Sequence, residues 1–229
     1  MTGSPANDSS PRVVIVGSAT ALNAGPLACH VPRFALASFI DRSDCVIRMN
    51  DVKNAWVRGI GRRTDLLMVM NGGGPAWGYT EGPLINPGFL RELSEIVFVV
   101  PHAEFVGPRA IPTSDPHHGT DFSDRIVQRQ GWAGKMRTTI DPDVAMELDR
   151  QLRLRVGREC VASTGIRAIF HVLASARFAG WRIYVVGFGF VGWKGHAFDA
   201  ERTIVCDLVT QGRLRVPQRV SFLRPWLVA

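Results

Sequence analysis

Two stretches of this chain combine residue types and spacing that could carry out chemistry. The first is Ala162-Ser163-Thr164-Gly165, followed directly by Ile166-Arg167-Ala168-Ile169-Phe170-His171-Val172-Leu173. Apolar residues at 166, 169, 170 and 173 recur at the i, i+3, i+4, i+7 spacing of a helix with one buried face, and Ser163 or Thr164 stands where its N-cap belongs. A helix opening from a small-residue turn presents unpaired N–H groups at the positive end of its dipole. Ser163, Thr164 and Gly165 are therefore a candidate site for a phosphate or carboxylate, although an ordinary capped helix has the same pattern. The second stretch is Phe190-Val191-Gly192-Trp193-Lys194-Gly195-His196, a loop rich in glycine and aromatic residues. A histidine with an ordinary pKa near 6.5 can take a proton at neutral pH, so His196 is a candidate base. Glu201 follows one helical turn later. It either orients the imidazole or its loop, or is an acid stabilising the first turn of a helix.

Elements that would position these groups are legible on either side. Arg12-Val13-Val14-Ile15-Val16 reads as a central parallel strand, and Gly17-Ser18 as the tight turn at its carboxyl end. Ligands of open α/β sheets sit beyond such ends. A dinucleotide fingerprint is absent, since the later glycines it needs are Ala19 and Leu22. Pro32 to Ile40 reads as a helix with Phe34, Ala37 and Ile40 inward. Cys45 to Asp51 is a second strand with a polar end, where Asn50 either faces a site or forms a turn. Leu66 to Asn71 is a third strand broken by Gly72-Gly73-Gly74, and Glu95 to His102 a fourth. Residues 103–140, rich in Gly, Pro, His and Asp, read as a long mobile loop or lid. Asp141-Pro142-Asp143 resembles a metal-binding D-x-D but reads better as cap, first position and first turn of a helix running to Val156. Arg182 to Val186 is a buried strand closed by glycines. Phe198 to Gln211 is a helix stopped by Gly212, followed by extended segments at 213–217 and 220–223. The pattern predicts one α/β domain over 12–229, with a single doubly wound, mostly parallel sheet flanked by helices, after a disordered tail at 1–11.

Composition narrows the partners. A net charge of +7 and a pI near 9.9, most of the excess being arginine, favour something anionic: a nucleotide, an acidic sugar, a nucleic acid or a membrane surface. No Lys/Arg run concentrates the charge, so nucleic acid is not expected. The four cysteines form no C-x-x-C pair, which argues against zinc and for reduced thiols in the cytoplasm. His117-His118 lacks a third clustered ligand, so no metal is expected there. No apolar run reaches the roughly 18–20 residues of a membrane span.

Three stretches together resemble a known family. Val14-Ile15-Val16-Gly17-Ser18, Ile40-Asp41 through Asp44, Val46-Ile47-Arg48 and Asn50, and Gly59, Gly61, Arg63 and Thr64 look like the large sialyl motif of glycosyltransferase family 29, the sialyltransferases. Ser163-Thr164-Gly165 through Gly187-Phe188-Gly189 looks like their small motif, and His196 with Glu201 like their very small motif. The resemblance implies a Rossmann-like variant of the GT-A fold. It also implies a metal-independent, inverting transfer of an acidic sugar from a CMP-activated donor to a glycan or other acceptor hydroxyl, with no further cofactor. Gly17, Ser18, Asn50, Ser163, Thr164 and Gly165 would hold the donor, His196 would be the base, and Glu201 would support it. The chain departs from the pattern at Ser18, where the family has Asn. It also lacks the third motif, since 188–195 contain no histidine, and it lacks the family's cysteine pair and membrane anchor. Bacterial sequences of this kind are also known as urease operon accessory proteins. The competing expectation is thus a non-catalytic accessory protein that keeps the nucleotide pocket.

Overall fold

The computed structural model describes residues 9–19, 31–106, 115–117 and 119–217. The first eight residues of the expected tail, Cys29, His118 and the expected segment 220–223 lie outside them. Six strands, β1 (Arg12–Val16), β2 (Cys45–Met49), β3 (Leu66–Val69), β4 (Glu95–Phe98), β5 (Met136–Thr139) and β6 (Arg182–Val186), form one sheet in the order β5-β4-β3-β2-β1-β6. Every neighbouring pair is parallel. The α/β class is as expected, with the sheet wholly rather than mostly parallel.

Seven helices are described: α1 (Arg33–Asp41), α2 (Gly73–Glu81), α3 (Ala103–Val106), α4 (Ser123–Gln130), α5 (Pro142–Val156), α6 (Thr164–Ala174) and α7 (Phe198–Thr210). Side chains alternate across a strand, so an apolar run can serve two helix layers. Val13 and Ile15 of β1 pack with Leu148 of α5, Ile166 and Ile169 of α6 and Val205 of α7. Val14 and Val16, from the same strand, pack with Leu36, Phe39 and Ile40 of α1. Leu67, Val69, Ile96 and Phe98 meet Ala76 of α2 and Ile126 and Val127 of α4.

Strands β2 to β5 are laid down to one side of β1 in chain order, and β6 returns to the other side. The chain therefore reverses between β1 and β6, and a ligand crevice belongs beyond their carboxyl ends. These are Gly17-Ser18 and Gly187-Phe188-Gly189.

Several expectations change. The inward face of α1 is Leu36, Phe39 and Ile40, whereas Phe34 is 81% exposed. The helix starts at Arg33 rather than Pro32, and 36, 39 and 40 share a face that 34 opposes. Residues 103–140 are not loop throughout: they include α3, α4 and the edge strand β5. All four residues of β5 are exposed, so no apolar run marked it. Strand β2 ends at Met49, short of Asp51, β3 at Val69, short of Asn71, and β4 at Phe98, short of His102. Asp141 is the expected cap, accepting a hydrogen bond from the Asp143 N–H, with Pro142 first in the helix. The segment 213–217 does extend the sheet locally, with Arg215 bridging Tyr184 in parallel. At the other end, the Arg182 guanidinium donates to the Ser10 carbonyl, so the last residues of the expected tail are tied to β6.

Candidate active site

Gly17 closes β1 against the end of β6. Its N–H donates to the Val186 carbonyl at 2.7 Å, and a Cβ on it would lie 2.3 Å from the Gly187 oxygen, so only glycine fits. Ser18 is exposed at the lip. Asn54, which the sequence did not single out, is 2% exposed and donates from Nδ2 to the Gly17 carbonyl at 2.8 Å and the Ala19 carbonyl at 3.2 Å. A buried amide joining two backbone carbonyls fixes the loop path. Its only sequence signal was a polar residue among turns.

Asn50 stands at the end of β2 with φ +53°, a left-handed conformation that asparagine tolerates. Its Oδ1 accepts the Met70 N–H at 2.9 Å, and its Nδ2 donates to the Thr164 hydroxyl at 3.2 Å. The turn read from the sequence is present, and Asn50 also reaches the start of α6, 114 residues away.

At that helix start Ser163 is the N-cap, its Oγ accepting from the Ile166 N–H at 3.4 Å. Glu201 of α7, 1% exposed, takes the Ser163 N–H at 2.8 Å on one carboxylate oxygen and the Ser163 hydroxyl at 2.6 Å on the other. The partner of Glu201 is thus the helix cap and not the imidazole. Burial pushes its pKa up, opposed by the two hydrogen bonds from Ser163 and by Arg167. The donors of Ser163 are already engaged. The Thr164 and Gly165 N–H groups have no intrahelical carbonyl within reach. Gly165 tucks under Phe188, whose ring would stand 3.0 Å from a Cβ there.

His196 lies half-buried across the loop. Its Nδ1 is 2.7 Å from the Val161 carbonyl oxygen, and the Val161 N–H in turn donates to the Gly195 carbonyl. A carbonyl can only accept, so the neutral ring carries its proton on Nδ1 and leaves Nε2 basic. Burial pushes the imidazole pKa down, the Val161 bond opposes this and Arg167 adds to it. Trp193 meets the ring edge-on with centroids 5.1 Å apart, and Phe198 does so at 5.2 Å. The Trp193 ring lies over Gly195, where a Cβ would stand 2.2 Å from it, so a larger residue would displace the ring.

The structure thus joins Gly17 to β6, Asn50 to Thr164, and Glu201 to Ser163. It places His196 beside Val161 on the approach to α6, with no hydrogen bond to Glu201. A cavity of about 400 Å³ between the start of α5 and the end of α6, lined by Thr139, Asp141, His171 and Ser175 among others, contains none of the candidate residues. Among the described residues no three His, Cys, Asp or Glu side chains cluster as metal ligands, and no helix is long and apolar enough to cross a membrane.

No family model matches the chain. The urease operon 23 kDa accessory protein of Rhizobium meliloti (strain 1021) is 34% identical over 193 residues, which cover 81% of this chain and 87% of that protein. Among solved structures, the sialyltransferase CstII from Campylobacter jejuni in complex with the substrate analogue CMP-3FNeuAc aligns with a TM-score of 0.48 at 10% identity, over 91% of this chain and 79% of that one. The apo alpha-2,3-sialyltransferase from the same organism aligns with a TM-score of 0.47 at 12% identity, over 93% and 76% of the two chains.

Proposed function

The chain belongs to the family of the Rhizobium meliloti urease operon 23 kDa accessory protein, and we propose that it is a sialyltransferase-like glycosyltransferase. It moves an acidic sugar from a CMP donor to an acceptor hydroxyl, with inversion and without a metal. The observation that supports this reading is the meeting of three distant stretches at the sheet's reversal: Gly17 against Gly187, Asn50 on Thr164, and Glu201 on Ser163.

In the transfer, the bond between the anomeric carbon and the donor phosphate oxygen breaks and the acceptor oxygen bonds to that carbon from the opposite face. The acceptor proton passes to Nε2 of His196. Burial favours the neutral imidazole, which is the form that accepts it. The charge left on CMP falls near the start of α6, where the Thr164 and Gly165 N–H groups and the helix dipole oppose it. Glu201 acts indirectly, by holding Ser163 and so the direction of the helix start.

The test is calorimetric titration with CMP of the protein and of its Asn50→Asp and Thr164→Val variants. Binding in the micromolar to sub-millimolar range, weakened about tenfold or more in each variant, is expected from the loss of one hydrogen bond to a charged ligand or its support. A folded protein with no affinity for CMP overturns the donor assignment. The second reading, favoured by the name of the relative, is an accessory protein that keeps the pocket without transfer. CMP binding with no transfer to any acceptor, equally in wild type and His196→Ala, selects it.

A further inference from the structure

On one flank of the crevice the surface is both basic and aromatic. Phe34 is 81% exposed and Trp56 74% exposed. Arg33, Lys53, Arg58 and Arg62 are exposed as well, and none of these four side chains meets a carboxylate among the described residues. These residues lie on two neighbouring segments, α1 and the turns of 52–62. A Cβ on Gly59, which has φ +98°, would lie 2.8 Å from the Arg33 Cβ and 2.9 Å from its carbonyl oxygen, so the first turn of α1 sits directly on the 58–60 turn. At the other end of α1 the Arg62 N–H donates to Asp41 at 2.7 Å. Lys53 and Trp56 lie on the turns just before, which run through the Val52–Ala55 and Asn54–Val57 backbone bonds.

Of the acids nearby, Glu92 pairs with Arg63. Asp41 is engaged by the Arg62 and Arg63 N–H groups, and Asp44 accepts from the Arg12 N–H. Phe34 stands opposite the Leu36, Phe39 and Ile40 stripe, so the core has no use for it. Uncompensated cations around outward-facing aromatic rings match the chemistry of an anionic lipid surface. Lys and Arg meet headgroup phosphates, while Trp and Phe settle at the boundary between headgroups and acyl chains. Duplex nucleic acid would call for the cations without a projecting phenylalanine.

We propose that this face, formed by Arg33, Phe34, Lys53, Trp56, Arg58 and Arg62, docks the protein on an anionic membrane surface. The proposal does not rest on the transfer reading. Asn54, in the same run of turns, holds the Gly17 and Ala19 carbonyls, so the docked face adjoins the crevice.

Co-sedimentation with phosphatidylcholine vesicles, with and without phosphatidylglycerol, tests it. The protein is expected to partition onto the phosphatidylglycerol vesicles alone, and less so as salt rises. Arg33→Glu with Arg58→Glu should weaken partitioning at least about tenfold, since each basic group near such a surface contributes about 1 kcal/mol. Phe34→Ser with Trp56→Ser should weaken it with the charge intact. All four positions are exposed, and an unchanged thermal melt confirms that the variants fold. No partitioning, equal partitioning onto neutral vesicles, or undiminished partitioning of both variants overturns the proposal. So does tighter binding to an oligonucleotide at the same salt that is lost in the charge-reversed variant. CMP titration of the same variants stays as in wild type, which keeps this result separate from the donor assignment.

Discussion

His196 shows how one hydrogen bond can decide what a residue is able to do. An imidazole on an open loop would exchange tautomers freely. Here the Val161 carbonyl fixes the proton on Nδ1, and the edges of Trp193 and Phe198 limit the ring's movement. Desolvation then disfavours the charged form, so the pKa falls below the ordinary 6.5. The same depression bears on stability. Above 6.5 the ring is neutral in folded and unfolded chains alike and the contribution is fully present. As pH falls from 6.5 through the folded value, the unfolded chain binds the proton first and that contribution is lost. In an NMR titration the ring of His196, picked out from the six histidines by its loss in His196→Gln, should titrate below 6.5. A midpoint at or above 6.5 would remove the argument that burial keeps this base neutral.

Helix α6 depends at its start on a residue from another helix. Ser163 caps it locally, but Glu201 of α7 holds Ser163 by both its N–H and its hydroxyl. Removing the acceptor leaves a buried N–H unpaired, so Glu201→Ala should destabilise the fold by about 1–3 kcal/mol in urea unfolding. Glu201→Gln keeps an oxygen for the N–H and removes a buried charge, so it should cost less than Glu201→Ala. Equal losses in the two variants would show that the carboxylate's charge, rather than the hydrogen bond, matters. Much of this element was legible: the apolar spacing gave α6, the cap was narrowed to Ser163 or Thr164, and Asp141-Pro142 gave the start of α5. What the sequence hid were partners distant along the chain. Nothing local joins Asn50 to Thr164 or Asn54 to Gly17, and the exposed strand β5 carries no apolar signature. Arg48, named in the resemblance, gave no local sign of its partners. It is 1% exposed, donates to the Ile60 and Arg63 carbonyls and lies over the Phe89 ring, with burial pushing its pKa down to about 10.

At the scale of the molecule, the start of α6 is placed by a buried charge that ties several elements together. Arg167, 1% exposed, donates to the Val99 carbonyl just beyond β4 at 2.7 Å, to both carboxylate oxygens of Glu104 on α3 at 3.0 and 3.3 Å, and to Asp149 on α5 at 3.3 Å. One guanidinium thus links the helix carrying Thr164 and Gly165 to α5, to α3 and to the end of a central strand. Forming such a cluster costs much of what it returns, because every charge is taken out of water, but removing one member leaves the others uncompensated. Arg167→Met should therefore destabilise the protein by about 3–5 kcal/mol, far more than its lost packing. Adding Glu104→Gln and Asp149→Leu, which removes the negative charges that faced the guanidinium, should restore much of that stability. If it does, the cluster acts to position α6 rather than to stabilise the fold, and the triple variant should then be stable yet bind CMP more weakly than wild type. A triple variant as unstable as Arg167→Met alone would instead place the loss in packing around the guanidinium.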